Sequence, residues 1–562
     1  MYVRVKTTSN SPRKSVQIVE SVRKGDKVSQ KIVRYVGIAM NEDELIPLKQ
    51  LAESIKLKLE AEIHNRGMLF SPEELAKLTV EFQESEKSKK NRLVITDEDY
   101  QVNLKNLKEE DRVVSGIHEV YGKLFDELGY DKVLENPARN VSSAKLFKDI
   151  VLARIANPKS KRGSVSMLEE DFGIRLNLDG VYRMMDKLTD KVVMRLNRMS
   201  YEATQDLYPD PINVVFFDCT TVYFEAFESD ELREQGYSKD MKFNEVQVLL
   251  ALMVTQDGLP VGYEAFKGST YEGHTLIPAI QTLKERYQIK QVVFVADSGL
   301  MNAENLQEME GQGIDYIVGA RLKSRSKALQ QQILDPTNYT QIRPGYKIGK
   351  FKDNGRTFIV SYCEKRAHKD RRDRERSIEK LRLKVSCHKT PKDYLSNQGY
   401  KKYLKMDSET TVELNEAKIA EAEQWDGLLG VCTNVTSLTA QDILQKYADL
   451  WQVEEAFRIN KHDLKIRPVF HWKPSRVRAH LAIAFTSFCL VKFMEHRVKL
   501  QYKKLSPEVI RQTLIRVQTS IVFDSTKRIR YALPSKLSLD AKKIYALMQI
   551  PKTSSPFIIE KL

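Results

Sequence analysis

Three acidic residues are placed where a carboxylate could do chemistry. Asp218 closes the apolar run INVVFFD, Asp297 closes VVFVAD, and Glu454 lies in YADLWQVEEAFRINK, residues 447–461. A carboxylate at the end of a buried strand, repeated, with a third on a later helix, suits a metal-dependent phosphoryl-transfer site. Mg²⁺ takes oxygen ligands and keeps several waters, so few protein carboxylates suffice. Two such ions about 3.5–4 Å apart can activate an attacking oxygen and stabilise the leaving one. The expected cofactor is therefore a pair of Mg²⁺ ions held by Asp218, Asp297 and Glu454, with Mn²⁺ able to substitute. On one continuous helix, Tyr447, Leu450, Glu454 and Lys461 would fall within an arc of roughly 60°, and Glu455 would lie roughly 100° round from Glu454. The two glutamates are therefore not interchangeable. The same geometry sets Tyr447 and Lys461 two turns away on either side, where they could grip phosphates. Taken singly, each acid reads as a strand-end turn residue or a surface glutamate; the combination is what points to a site.

The elements that must position these residues follow from periodicity. Residues 1 to about 38 alternate apolar and polar, which predicts a small antiparallel unit turning at residues 23–27. From about 41 to 208 apolar residues recur at three and four, the helical pattern. Ser71-Pro72-Glu73-Glu74 has the form of a helix start, and residues 87–92, KSKKNR, read as an exposed linker. After Pro209-Asp210-Pro211 the pattern becomes β-β-β-α-β-α-β: strands at 212–218, 246–254 and 259–266, a helix at 275–287, a strand at 292–297, a helix at 302–312 and a strand at 316–319. Asp257-Gly258 is the hairpin turn between the second and third strands. That order is the RNase-H-like one, whose mixed sheet sets the first and fourth strands side by side. The predicted fold class is therefore mixed α/β, an RNase-H-like core in two parts (209–322 and 426–500) interrupted by a β-rich insertion at 323–425. A β unit (1–40) and a helical DNA-binding region (41–208) precede it, and a helical tail (501–562) follows. A helix from about 440 to 462 carries Glu454, and a long buried helix is expected at about 475–498.

Charge bounds the partner. Lys and Arg number 91 against 76 Asp and Glu, a net +15 spread along the chain. This favours a polyanion such as nucleic acid, bound by folded basic surfaces. The five cysteines are scattered with no C-x-x-C pair, which argues against disulfides and a zinc site and for a reducing compartment. The start, MYVRVKTTSN, lacks the apolar stretch of a secretory signal, and Leu481–Met494 is too short and interrupted to span a bilayer. No membrane partner is expected, and a cytoplasmic location is.

Weaker candidates surround the acids. Arg321, Lys323 and Arg325 after the fifth strand, and Lys239 and Lys242 before the second, could line a DNA channel or lie in solvated loops. His471 and His480 read as structural, since no Cys or carboxylate cluster accompanies them. Trp451 and Phe457 are expected in the core, and Trp472 is expected to pack rather than stack on a base. Ser298 lacks a paired base and is not expected to be a nucleophile.

The spacing Y-x2-R-x3-E-x6-K resembles the signature of bacterial insertion-sequence DDE transposases whose last acid follows a β-strand insertion. Here it reads Tyr447, Leu450, Glu454, Lys461. FFDCTTVYFE, GYSKD, GLPVGYEAF, VADSGL, YIVGARLK and RPVFHWKPSRVRAHLAIAF are similar to the same family, and the likeness covers most of residues 1 to 500. It implies that Asp218, Asp297 and Glu454 are the catalytic triad, with Tyr447 and Lys461 as DNA-backbone contacts. It further implies cut-and-paste movement of the element, terminal inverted repeats and target DNA as double-stranded partners, and a homodimer on paired ends. The signature arginine is replaced by Leu450, which cannot form a bidentate fork to a phosphate. Two other readings stay open on the residues: a structure-specific RNase-H-like nuclease, and an inactive DNA-binding derivative that represses transposition.

Overall fold

The computed structural model describes residues 1–7, 14–24, 27–64, 96–224, 228–236, 244–287, 293–300, 302–387, 402–406, 412–467, 469–502 and 505–561. The expected helix start at 71–74, the charged run 87–92, Lys239 and Lys242 lie outside these residues. The chain forms two compact units. The first is Met1–Leu107 with Asp524–Arg530 and Ile558–Leu562; the second is Lys108–Phe523 with Tyr531–Phe557.

In the first unit, alternation gives the expected antiparallel sheet: β1 (Tyr2–Thr7), β2 (Lys14–Lys24) and β3 (Lys27–Ala39), paired in that order. The Glu42–His64 helix packs on it, closing a small core of Val16, Ile18, Ala39, Leu45 and Ala52. Its start is fixed reciprocally: Asn41 Oδ1 accepts from the Glu44 N–H at 2.8 Å, and Glu44 Oε2 accepts from the Met40 N–H at 2.9 Å.

After β4 (Leu107–Val114), the second unit is organised by one nine-stranded sheet. Its strands are β5 (Val214–Tyr223), β6 (Gln247–Val254), β7 (Pro260–Lys267), β8 (Val293–Ala296), β9 (Asp315–Gly319), β10 (Thr340–Arg343), β11 (Tyr346–Asp353), β12 (Arg356–Cys363) and, after the short hairpin β13 (Leu404–Met406) and β14 (Val412–Leu414), β15 (Leu428–Thr433). The order across the sheet is β10-β11-β12-β15-β9-β8-β5-β6-β7. The Leu276–Tyr287 and Ala303–Gly311 helices fall between β7 and β8 and between β8 and β9, so the β-β-β-α-β-α-β order holds. The β5–β6 and β6–β7 pairs are antiparallel, while β5–β8 and β8–β9 are parallel. Gly258, with φ of +74°, supplies the left-handed residue in the turn before β7.

The expected insertion and tail differ from the structure in three respects. The insertion's strands β10–β12 continue the core sheet, because β12 pairs antiparallel with β15, the strand placed in the second part of the core, and β15 pairs with β9. Residues 364–387, inside the insertion expected to be β-rich, form instead the 24-residue Glu364–Cys387 helix, a densely charged run. Apolar residues in that run are too sparse for either period to speak. The tail, expected to be helical or irregular, contains the Pro507–Ile515 and Leu539–Leu547 helices and also β16 (Gln518–Asp524), β17 (Ile529–Pro534) and β18 (Phe557–Lys561).

The helices between Gly116 and Gln205 share one core with the sheet and the Pro474–Gln501 helix. Asn197 ties them to β7: its Nδ2 donates to the Tyr263 carbonyl at 3.1 Å, and its Oδ1 accepts from the Tyr263 N–H at 3.3 Å. The Pro474–Gln501 helix is long and apolar enough to cross a membrane, but 94% of its most apolar window is buried inside this unit. It is the buried core helix its sequence suggests.

Candidate active site

Strand β5 alternates between two cores. Val215, Phe217 and Cys219 enter the core with the Leu276–Tyr287 helix, while Val214, Phe216 and Val222 enter the one that also contains Leu450, Val453, Ala456 and Phe457. Asp218 therefore lies on the face that the Trp451–Arg458 helix covers, and that helix packs on β5 and β6. The parallel pairing of β5 with β8 runs Val214↔Val293 to Phe217↔Ala296. One step further brings Asp218 beside Asp297, on strands about 4.8 Å apart. The β8–β9 pairing continues the row from Asp297 to Gly319.

Asp218 is not a strand-end residue. Strand β5 runs to Tyr223 and stays paired with β6, Asp218 facing Leu252; only its partner β8 stops at this level. Asp218 Oδ1 accepts from the Cys219 N–H at 2.8 Å, whereas Asp297 is exposed just past β8. The Tyr447 hydroxyl donates to Asp297 Oδ1 at 3.4 Å. Burial first, then the negative charge of Asp297 and its hydrogen bond, with a smaller part from Glu454, raise the Tyr447 phenol well above its ordinary range, so it stays a donor at any working pH. Gly319 is what admits that hydroxyl: a Cβ there would collide with Tyr447 Oη and stand 2.9 Å from the Ser298 nitrogen.

The continuous helix expected over 440–462 is broken. The Ala440–Ala448 helix ends at Asp449, a second helix spans Trp451–Arg458, and Ile459–Asp463 is a π-turn. Tyr447 and Glu454 thus belong to different helices, and the shared arc does not apply. Glu454 is exposed in the first turn of its helix, while Glu455 is engaged by Arg458, whose Nε and Nη2 donate to it at 2.7 and 2.8 Å. Arg458 also reaches Asp463 at 3.3 Å, so it is committed locally and does not replace the signature arginine. Leu450 is 8% exposed and packs into the core.

Two aspartates in one row present the hard oxygen donors that a divalent cation takes. Among the described residues no three His, Cys, Asp or Glu side chains gather closely enough to hold a metal ion, so Glu454 stands beside the aspartates rather than closing on them. Lys461 is half-buried in the π-turn. Arg321 is exposed after β9, and Lys323 stacks on Trp425 at 5.8 Å, its electrostatic neighbours being Lys402, Glu421, Asp426 and Arg374 rather than the three acids. Phe457 is buried as expected; Trp451 and Trp472, expected to pack, are 46% and 67% exposed. Gly319 went unread in the sequence, although YIVGARLK contains it. Also unread was a groove of about 680 Å³ lined by Arg343, Tyr346, Lys365, Arg366, Lys369 and Gln445, alongside the Tyr447 helix. The positive charge of Arg366 partly offsets the rise of the Tyr447 phenol, so this basic groove borders the tyrosine.

Residues 209–490, about half of the 562, match the transposase DDE domain, and residues 3–66 match the N-terminal domain of IS1634 family transposases. No curated protein matches the sequence. Among solved structures, a piggyBac transposase synaptic complex with hairpin DNA is similar at 10% identity over 71% of this chain and 76% of that one, with a TM-score of 0.36. A Mos1 transposase paired-end complex with the left transposon end is similar at 13% identity over 31% and 57% of the two chains, with a TM-score of 0.14.

Proposed function

This chain belongs to the DDE transposase family and is an enzyme of DNA cleavage and strand transfer in insertion-sequence transposition, and from that premise we propose that Asp218, Asp297 and Glu454 carry the reaction, cutting and pasting its own element. The observation that supports this assignment is the in-register row Asp218–Asp297–Gly319, with Tyr447 donating into it and the Glu454 helix packed on the same strand.

Asp218 and Asp297 present carboxylate oxygens on the face that the Tyr447 and Glu454 helices border. Tyr447 orients Asp297 by donating one hydrogen bond to its Oδ1. A bound pair of divalent ions, Mg²⁺ by the chemistry of the donors and Mn²⁺ in substitution, would activate the attacking oxygen and stabilise the leaving one. In the first step a water oxygen bonds to the scissile phosphorus, the bond to the 3′-oxygen breaks, and that oxygen takes a proton. The freed 3′-hydroxyl then attacks a second phosphorus and displaces its 3′-oxygen. The basic groove with Arg343, Lys365, Arg366 and Lys369 offers the phosphate backbone a path to the acids. Double-stranded DNA with terminal inverted repeats is the substrate, and a homodimer holds two ends.

The test is cleavage and joining of labelled DNA carrying the element's end, in Mg²⁺, Mn²⁺ or EDTA. Nicking in either metal and none in EDTA is expected. Asp218→Asn and Asp297→Asn are expected to lower nicking at least about a hundredfold while DNA affinity changes by no more than about twofold. Nicking undiminished in either variant would refute the assignment.

A further inference from the structure

A second recess in the same unit is used by nothing above. It encloses about 230 Å³ where residues 154 and 158–162 meet Lys465, Arg467, Phe470, His471 and His480. Arg154 and Lys161 are each 4% exposed, and His480 is 5% exposed. Arg154 Nη1 donates to the carbonyls of Leu464 and Lys465 at 2.8 and 3.2 Å, while its buried Nε has no partner. His480 Nε2 lies 3.0 Å from the Ile466 carbonyl, and its buried Nδ1 has no partner. Lys161 opens the 12-residue Lys161–Phe172 helix, whose first residues line the recess. That end carries the positive pole of the helix, the ordinary place for an anion, with the Gly163 N–H already donating to the Ser160 hydroxyl at 3.1 Å.

The charges around these groups share one sign. Lys161 is influenced by Arg154; His480 by Arg154, Lys161 and His471; and His471 by Lys161, Arg476 and Arg154. Burial alone brings Arg154 down to about 10. No carboxylate pairs with Arg154 or Lys161 in the ion pairs among the described residues, and a buried unpaired cation is strongly unfavourable.

The geometry points to an anion pocket for a phosphate monoester, the 5′-phosphate end of a DNA strand. A buried guanidinium, a buried lysine amine that an entering anion would hold protonated, and a helix N-terminus match a dianion better than a backbone diester, which carries one charge and must also lead its chain in and out of the recess. The rim favours a nucleotide over a bare ion. Phe470, on the lining, is 58% exposed and offers a face on which a terminal base can stack. Arg467, on the wall, lies 5.4 Å from the Tyr223 ring. Tyr223 follows Asp218 on β5 by five residues, roughly 17 Å of strand. The pocket itself stands on its own residues. Its assignment to a DNA end rests on the cleavage reading, because hydrolysis that frees a 3′-hydroxyl leaves a 5′-phosphate on the other fragment.

Binding separates the two. Duplexes identical except for a 5′-phosphate or a 5′-hydroxyl would be titrated against the full chain without divalent metal, beside inorganic phosphate and a nucleoside 5′-monophosphate as competitors. The phosphorylated duplex is expected to bind about tenfold tighter, charge-assisted contacts being the strong ones. Lys161→Met and Lys161→Gln are expected to erase that preference. Lys161→Met should melt no lower than the parent, since an apolar chain replaces a buried cation, and phosphate should raise the parent's melting temperature only. Equal affinity for the two duplexes, a preference that survives both substitutions, or protection by inorganic phosphate with no preference for phosphorylated DNA would each overturn the proposal. None of these readouts depends on nicking, so failure of the catalytic assignment would show separately.

Discussion

The phenol of Tyr447 reaches Asp297 because residue 319 has no side chain. Gly319→Ala is therefore expected to drive Tyr447 off the carboxylate, lowering the nicking rate about tenfold or more and stability by about 1–3 kcal/mol. In a Tyr447→Phe background the same alanine should cost less, because the atom it strikes is gone. A double-mutant cycle on melting temperature and single-turnover nicking checks this, and strict additivity would show that the two residues do not communicate. The side-by-side placing of Asp218 and Asp297 was legible in the sequence, since each ends an apolar run. Gly319 was not, because its neighbour Tyr447 is brought to it only by the sheet. Trp451 and Trp472 were misjudged for a similar reason: aromatic character alone favours burial, and the positions they occupy lie at the surface.

At the scale of elements, strand periodicity carried the core. The β-β-β-α-β-α-β order and the parallel β5–β8 pair followed from apolar runs and an Asp-Gly turn. The helix that carries Glu454 was less legible. Its apolar spacing reads through Asp449 and Leu450 without interruption, yet the chain breaks there, and Ile459–Asp463 widens into a π-turn. Restoring the family's arginine at Leu450 tests what the break does. Leu450 is buried among Val453, Ala456 and Phe457. Leu450→Arg should thus bury a charge and destabilise the protein by about 2–4 kcal/mol, without tightening DNA binding. Chemical unfolding and a DNA titration measure both; a stable variant with stronger end binding would show that Leu450 faces the DNA. The Glu364–Cys387 helix escaped the sequence reading because its dense charges leave no apolar stripe of either period.

For the whole molecule, one extensive core joins the helices of 116–205, the sheet and the Pro474–Gln501 helix, with His480 buried and His471 half-buried beside it. Burial, then the positive charges of Lys161, Arg476 and Arg154, lowers His471 to about 4, and burial lowers His480 in the same direction. A folded-state value below the unfolded one means the unfolded chain binds more protons as pH falls from about 6.5 towards 4, so stability is full above that window and declines within it. His471 alone would contribute a loss on the order of 2–3 kcal/mol. Urea unfolding at pH 7.5, 5.5 and 4.5 should show a shallower decline for His471→Gln, and identical slopes would contradict the burial of a neutral ring. Net charge of +15 was legible as a nucleic-acid signal, whereas the basic groove and the enclosed pocket were not, since each gathers residues far apart in the chain. The most direct measurement is strand cleavage and joining on labelled element-end DNA by the parent, Glu454→Ala and Glu455→Ala, in Mg²⁺ and in EDTA. Expected is metal-dependent nicking and joining by the parent, loss with Glu454→Ala, and retention with Glu455→Ala, which gives up only a largely exposed ion pair to Arg458. Cleavage surviving Glu454→Ala, or lost with Glu455→Ala instead, would contradict the assignment of Glu454 as the third catalytic acid.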